Sequence, residues 1–263
     1  MSIPDPVPNP ELSPTSDLVR PTPARPDVAP PGSFPSGRDW AWVLSASMAA
    51  ALLTWGLGES GWLRVKPADA VTSMMGRTMN GSTGETRQVA ATRTAGLVYA
   101  SFGALLGAGL ALAGGMAGGR PRRVGVAAAV GAAVGGVVGA GASMTVFTAF
   151  HRMAGDHAGD LVPAFAMHAS VWAPLGAAAG LALGLGRRGP GGLLAAAIGG
   201  VAGALVGALV YEGVGAFAFP LDETTTPVST SAITRLLNFL LLAVTASIGA
   251  LLGLREQRAG VRA

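Results

Sequence analysis

The chain has 263 residues, half of them hydrophobic and only 12% charged, with 40 glycines, no cysteine and a net charge of +4. A soluble domain carries about 25% charged residues, so this composition speaks against an ordinary soluble fold. The missing cysteine excludes disulfides and thiolate chemistry, and acids and bases that segregate along the chain suit membrane topology better than a nucleic-acid interface, which needs a clustered basic face.

Residues 1–38 hold eleven of the eighteen prolines, with Ser, Asp and Arg between them. Such a segment buries too little apolar surface to offset its ordering entropy, which predicts a disordered tail with polyproline II character. Pro23-Ala-Arg-Pro26 fits a PxxP ligand, but a plain solvated tail explains it better. No cleavable signal peptide is visible, and the first apolar run, beginning near Trp40, is expected to act as an uncleaved anchor.

Six windows are long and apolar enough to cross a bilayer: about 40–58, 95–118, 124–150, 162–186, 192–219 and 231–254. Together they define a membrane domain over 39–255, followed by a short basic tail at 256–263. Trp40, Trp42, Trp55 and Trp62 flank the first window as interfacial aromatics. The connection 59–94 is too polar to span. Its part from Ala68 to Arg93 has helical spacing and is expected to form a helix, either outside the bilayer or extending the second span.

Orientation follows from the short connections. Arg120, Arg122 and Arg123 follow the second span, Arg187 and Arg188 the fourth, and Arg255, Arg258 and Arg262 the sixth. The alternate connections carry Asp156 and Asp160 against Arg152, and Asp222 with Glu223. The positive-inside rule then puts both termini in the cytoplasm of an inner membrane. The connection 59–94 dissents, with Arg64, Lys66, Arg77, Arg87 and Arg93, yet the even number of spans places it outside.

Glycine recurs at every fourth residue in three spans: Gly131, Gly135 and Gly139; Gly176, Gly180 and Gly184; Gly199, Gly203 and Gly207. Shorter pairs are Gly103/Gly107 and Gly249/Gly253. Small-xxx-small stripes let helix backbones approach closely in lipid, so these residues are expected to pack the bundle, with an oligomer interface or a pore lined by glycine backbone as the sharper alternative. The sequence around 106–131 also resembles that around 176–199, which suggests repeated helical pairs in which spans two, four and six form one class and spans one, three and five another.

Four ionisable residues lie within or beside spans: Glu59, His168, Glu212 and Arg235. A charge at mid-bilayer costs at least about 2.5 kcal/mol, so such residues mark pathways or pair. Counting from Arg187 and Arg255 puts His168 and Arg235 about 30 Å away, at the outer boundary. An outward polar vestibule follows as a candidate site, with Glu212 paired to Arg235 and His168 nearby. The midplane holds only small or hydroxyl residues such as Ala49, Gly107, Val137 and Thr245. Pro174, beside Trp172, is the one hint of a broken span.

Catalytic patterns are missing. Lys66 precedes Pro67 and forms no phosphate loop. His151, Asp156, His157 and Asp160 read as a solvated loop rather than a metal site. No catalytic residue, cofactor or metal is expected.

Pro67-Ala-Asp69 and Pro220-Leu-Asp222 invite comparison with mitochondrial carriers, but the basic residues which that family places downstream of its Pro-x-Asp/Glu are absent at both. Over most of 40–255, the Gly-rich spans, acidic outer loop and Arg turns resemble uncharacterised Gly/Ala-rich multi-pass proteins of bacteria. That resemblance implies a bundle and no activity. The expectation is an all-α polytopic transmembrane helical bundle of about six spans. Its partners are the lipid bilayer and either a second copy or another protein. Its function is that of a non-enzymatic scaffold or interaction protein, with a small-solute or ion transporter as the alternative.

Overall fold

The computed structural model describes residues 35–74, 77–118, 121–153, 161–187, 192–222, 224 and 228–260. The Pro-rich segment with its PxxP sequence, Arg120, Arg188, Glu223, Arg262 and the loop of Asp156, His157 and Asp160 lie outside them.

The described residues contain six helices: α1 (Gly37–Glu59), α2 (Gly84–Ala117), α3 (Pro121–Met153), α4 (Leu161–Arg187), α5 (Leu193–Ala218) and α6 (Ala232–Gly260). Each is long and apolar enough to cross a membrane. Between α1 and α2 lies an antiparallel hairpin, β1 (Ala70–Met74) and β2 (Arg77–Gly81), in register from Ala70–Gly81 to Met74–Arg77. This corrects the helix expected from Ala68. The β-branched Val71, Thr72 and Thr78 favour extended backbone, and the helix starts only at Gly84, where it extends the second span.

Local chemistry fixes the helix starts. Ser36 and Asp39 form a capping box on α1, with Asp39 N–H donating to Ser36 Oγ (3.2 Å) and Ser36 N–H to Asp39 Oδ2 (2.9 Å). Thr83 and Thr86 do the same for α2. Asp39 Oδ2 also accepts from Arg187 at 2.7 Å, tying the start of α1 to the end of α4. Arg187, at the end of α4, thus marks one end of the bundle, and Glu59, at the end of α1, the other.

The even helices form the interior. The most apolar stretch is 56% buried in α2, 61% in α4 and 50% in α6, against 28%, 17% and 33% in α1, α3 and α5. This alternation parallels the two span classes distinguished in the sequence.

Glycine sets the distance between helices. A methyl group added at Gly103 or Gly107 of α2 would collide with the carbonyl oxygen of Gly135 or Gly131 of α3, and the reverse collisions also occur. Gly139 meets the Tyr99 carbonyl in the same way. Gly176 meets Gly200, and Gly180 meets Ala196, across α4 and α5. Across α5 and α6, Gly199 meets Gly249 and Gly203 meets the Thr245 carbonyl. Gly207 faces the Thr245 hydroxyl and the Trp172 ring, whereas Gly184 is less constrained: an added methyl there would lie 3.2 Å from Leu193 Cα. Thus 131/135/139 seals α3 to α2, while its sequence echo 199/203/207 turns mainly to α6.

Polar groups in the middle of the spans are satisfied locally. Thr245 Oγ1 donates to the Leu241 carbonyl (2.7 Å) and Ser143 Oγ to that of Gly139 (2.6 Å). Ser47 Oγ lies 2.7 Å from the Val43 carbonyl and 2.6 Å from Ser247 Oγ of α6. α4 runs unbroken through Pro174, which cannot donate to the carbonyl of Ser170.

Candidate binding cavity and the polar cluster behind it

At the Glu59 end, one arginine holds three segments together. Arg235, in the first turn of α6, donates through Nε to Glu59 Oε1 (2.7 Å) and through one terminal nitrogen to Oε2 (3.0 Å). Its other terminal nitrogen donates to the carbonyls of Ser229 (2.9 Å) and Thr230 (2.8 Å). A planar guanidinium suits this fork on a carboxylate. Trp55 Nε1 donates to the Ala232 carbonyl (2.9 Å), a second tie between α1 and α6. The chain after α1 folds back on α2, where Val65 N–H donates to Thr94 Oγ1 (2.9 Å).

These ties frame a half-open cavity of about 660 Å³. Its charged lining is Glu59, Arg64, Arg87 and Arg235. Trp55, Leu63, Val65, Val98 and Phe239 supply apolar wall, and His151 reaches it from α3. The volume lies within the range of small-molecule sites.

Behind Arg235 and Phe239 is a void of about 10 Å³ lined by Tyr99, His168, Tyr211, Ser229 and Asn238, room for about one water molecule. Here His168 Nδ1 lies 2.5 Å from Glu212 Oε1, both side chains nearly fully buried. At about 1.5 Å per residue, His168 sits roughly 10 Å from the start of α4 and Glu212 roughly 9 Å from the end of α5. The His168 ring meets the edges of Tyr211 (5.2 Å between centroids) and Trp172 (6.0 Å). Asn238 Nδ2 donates to Tyr99 Oη (3.2 Å), while Asn238 Oδ1 and Trp172 Nε1 are buried without partners among the described residues.

The structure gathers the four ionisable residues singled out in the sequence but pairs them differently. Glu59 holds Arg235, and His168 holds Glu212; the expected Glu212–Arg235 pair is not formed. The two residues lie on adjacent helices but face different neighbours: Glu212 points at α4, whereas Arg235 reaches the end of α1. Sequence reasoning missed Tyr99, Tyr211, Asn238, Arg64 and Arg87. One signal was present, because the chain has only two tyrosines and both end in this cluster. Among the described residues no group of three acidic or histidine side chains is placed to hold a metal.

Comparison with family models, curated proteins and solved structures finds no match to this chain. Its function is therefore argued from the cavity.

Proposed function

We propose that this is a non-enzymatic membrane interaction protein that receives a ligand or a partner's segment in the cavity at the Glu59 end. The positive-inside pattern puts that end outside the inner membrane, with both termini in the cytoplasm. One observation carries the reading: an open cavity of about 660 Å³ is floored by Arg235 and Phe239, and beyond it the helices meet glycine to glycine. Ser45, Ser47, Thr145 and Thr245, polar residues near the midplane, line neither of these two cavities.

Transport is the second reading, favoured by the small polar void that shares Val228, Ser229, Arg235 and Phe239 with the cavity. Cysteine labelling separates the two, because the chain has no cysteine of its own. Single cysteines at Ala91, Asn238 and Ser247 are treated with a membrane-impermeant thiol reagent in sealed vesicles of known orientation. The interaction reading expects labelling at Ala91 alone, from the outer face. Labelling at Ser247 from either face would replace it with the transport reading.

A further inference from the structure

We infer that the cavity at the Glu59 end selects an anionic amphiphile, a carboxylate or phosphate carried on an apolar body; this rests on the cavity being a binding site. Three arginines and one glutamate line the cavity. Arg235 is consumed by structure: its Nε and both terminal nitrogens are bonded to Glu59 or to backbone carbonyls, and both Glu59 oxygens accept from it. That pair is neutral as a unit.

Arg64 and Arg87 remain. Arg87 makes one long bond, 3.3 Å, to the Ser82 carbonyl. Among the described residues neither arginine has a carboxylate within salt-bridge distance. The cavity therefore carries two guanidinium groups in excess of its one carboxylate pair, on its exposed side.

Apart from Thr94, His151, Ser229 and Thr230, the rest of the wall is apolar, and Phe239 at the floor is buried. A small inorganic anion would leave that wall wet, and an uncharged hydrophobe would leave the guanidiniums unanswered. A molecule with an acid at one end and a hydrocarbon or aromatic body at the other meets both halves. The cavity is lined by the end of α1 and the start of α6, and the ends of membrane-crossing helices lie near lipid headgroups. The same chemistry can therefore arrive as a bilayer lipid or as a free amphiphile.

The test uses the full chain in phosphatidylcholine nanodiscs and the emission of Trp55, which lines the cavity. The probes are an ω-bromo fatty acid, whose bromine quenches tryptophan on contact, and the matching ω-bromo alcohol. The Trp55→Phe variant isolates the Trp55 signal from that of the other four tryptophans. The expected result is saturable, Trp55-dependent quenching by the acid, with affinity falling roughly tenfold for each of Arg64→Gln and Arg87→Gln, and far weaker binding of the alcohol. Both arginines are exposed and outside the helix seams, and unchanged thermal unfolding of the two variants checks that the fold is intact. Equal binding of acid and alcohol would overturn the anion selectivity and leave the binding reading standing. No saturable Trp55-dependent quenching by either probe would overturn both. With the inference upheld, competition from phosphatidylglycerol added to the nanodisc assigns the ligand to the bilayer, and indifference to it assigns a free amphiphile.

Discussion

The two ends of this bundle follow opposite packing rules. Towards the Arg187 end, helices touch backbone to backbone: Gly107 on Gly131, Gly199 on Gly249, Gly114 on the Leu183 carbonyl and Gly186 on that of Ala111. Towards the Glu59 end, rings stand between them. Phe147 of α3 meets Tyr99 of α2 (5.8 Å), and Tyr99 and Phe102 meet Phe239 of α6 (6.0 and 5.3 Å). Trp172 meets Tyr211 across α4 and α5 (5.7 Å). Polar groups divide the same way, apart from the Arg187–Asp39 pair that ties α4 to α1. In the glycine-packed part most hydroxyls bond back to their own helix. In the ringed part Glu212, Asn238 and Arg235 bond across helices. In lipid, association relies on van der Waals fit and interhelical hydrogen bonds rather than on water exclusion. Backbones brought together by glycine leave no space. Large rings hold helices at a distance, and polar side chains can line what they leave open.

The largest test of this contrast is the buried pair. Removing one partner of a buried charged or strongly polar pair costs about 3–5 kcal/mol, because the other is stranded. His168→Leu is therefore expected to destabilise the protein by about that amount in detergent unfolding. The double variant His168→Leu/Glu212→Leu is expected to recover most of it. If the double variant is as damaged as the single, the cluster is held by its rings and not by the pair.

Next in size is the glycine seam. Overpacking a core costs typically 1–3 kcal/mol, and Gly103→Val forces a side chain against a backbone carbonyl that has no rotamer to change. A loss near the top of that range is expected, about 3 kcal/mol, read as a fall in melting temperature and in monodisperse yield. Gly141→Ala in α3 is the control. Nothing lies within 4 Å of its missing Cβ, and Ala is favoured over Gly in a helix by roughly 0.5–1 kcal/mol, so this change is expected to stabilise. Equal effects at the two positions would mean that the stripes are compositional rather than a packing code.

The sequence carries much of the glycine-packed part and less of the ringed one, and the reason is physical. Apolar length and glycine spacing are local properties, so the six helices and the stripes can be read directly along the chain. The cost of burying charge singles out Glu59, His168, Glu212 and Arg235 one at a time. Their pairing depends on how each helix is rotated, which no residue states locally, and Arg235 accordingly turns from the expected Glu212 to Glu59. Tyr99 and Asn238 escape the charge argument because they are neutral. Arg64 and Arg87 look like ordinary loop and helix-end charges until the Val65–Thr94 bond folds the Arg64 segment over α2, to the same cavity as Arg87. The hairpin at 70–81 was hidden by a pattern short enough to suit a helix as well.

A smaller effect is expected where the two ends of the bundle meet. Ser47→Ala removes the contact to Ser247 between α1 and α6. Interhelical hydrogen bonds in membranes average about 0.6 kcal/mol, with a maximum near 1.7, so a loss of about 0.6 kcal/mol is expected. Ser47 Oγ also contacts the Val43 carbonyl of its own turn, which holds the estimate to the average. A loss above 2 kcal/mol would place this contact with the cross-helix pairs of the other end.

The smallest coupling is expected at the cavity rim. Glu59 and Arg235 are part exposed, 27% and 21%, and exposed pairs contribute about 0.2–1 kcal/mol. Glu59→Gln is therefore expected to lower stability by less than about 1 kcal/mol. Arg235→Gln is expected to cost more, because it also abandons the Ser229 and Thr230 carbonyls that shape the start of α6. The asymmetry is the informative part: a double-mutant cycle is expected to give a coupling near 0.5 kcal/mol, with the remaining cost belonging to Arg235 alone. A coupling above about 2 kcal/mol would make the rim a buried pair in energy, of the same kind as His168 and Glu212, and would erase the distinction between an open cavity and the closed cluster behind it.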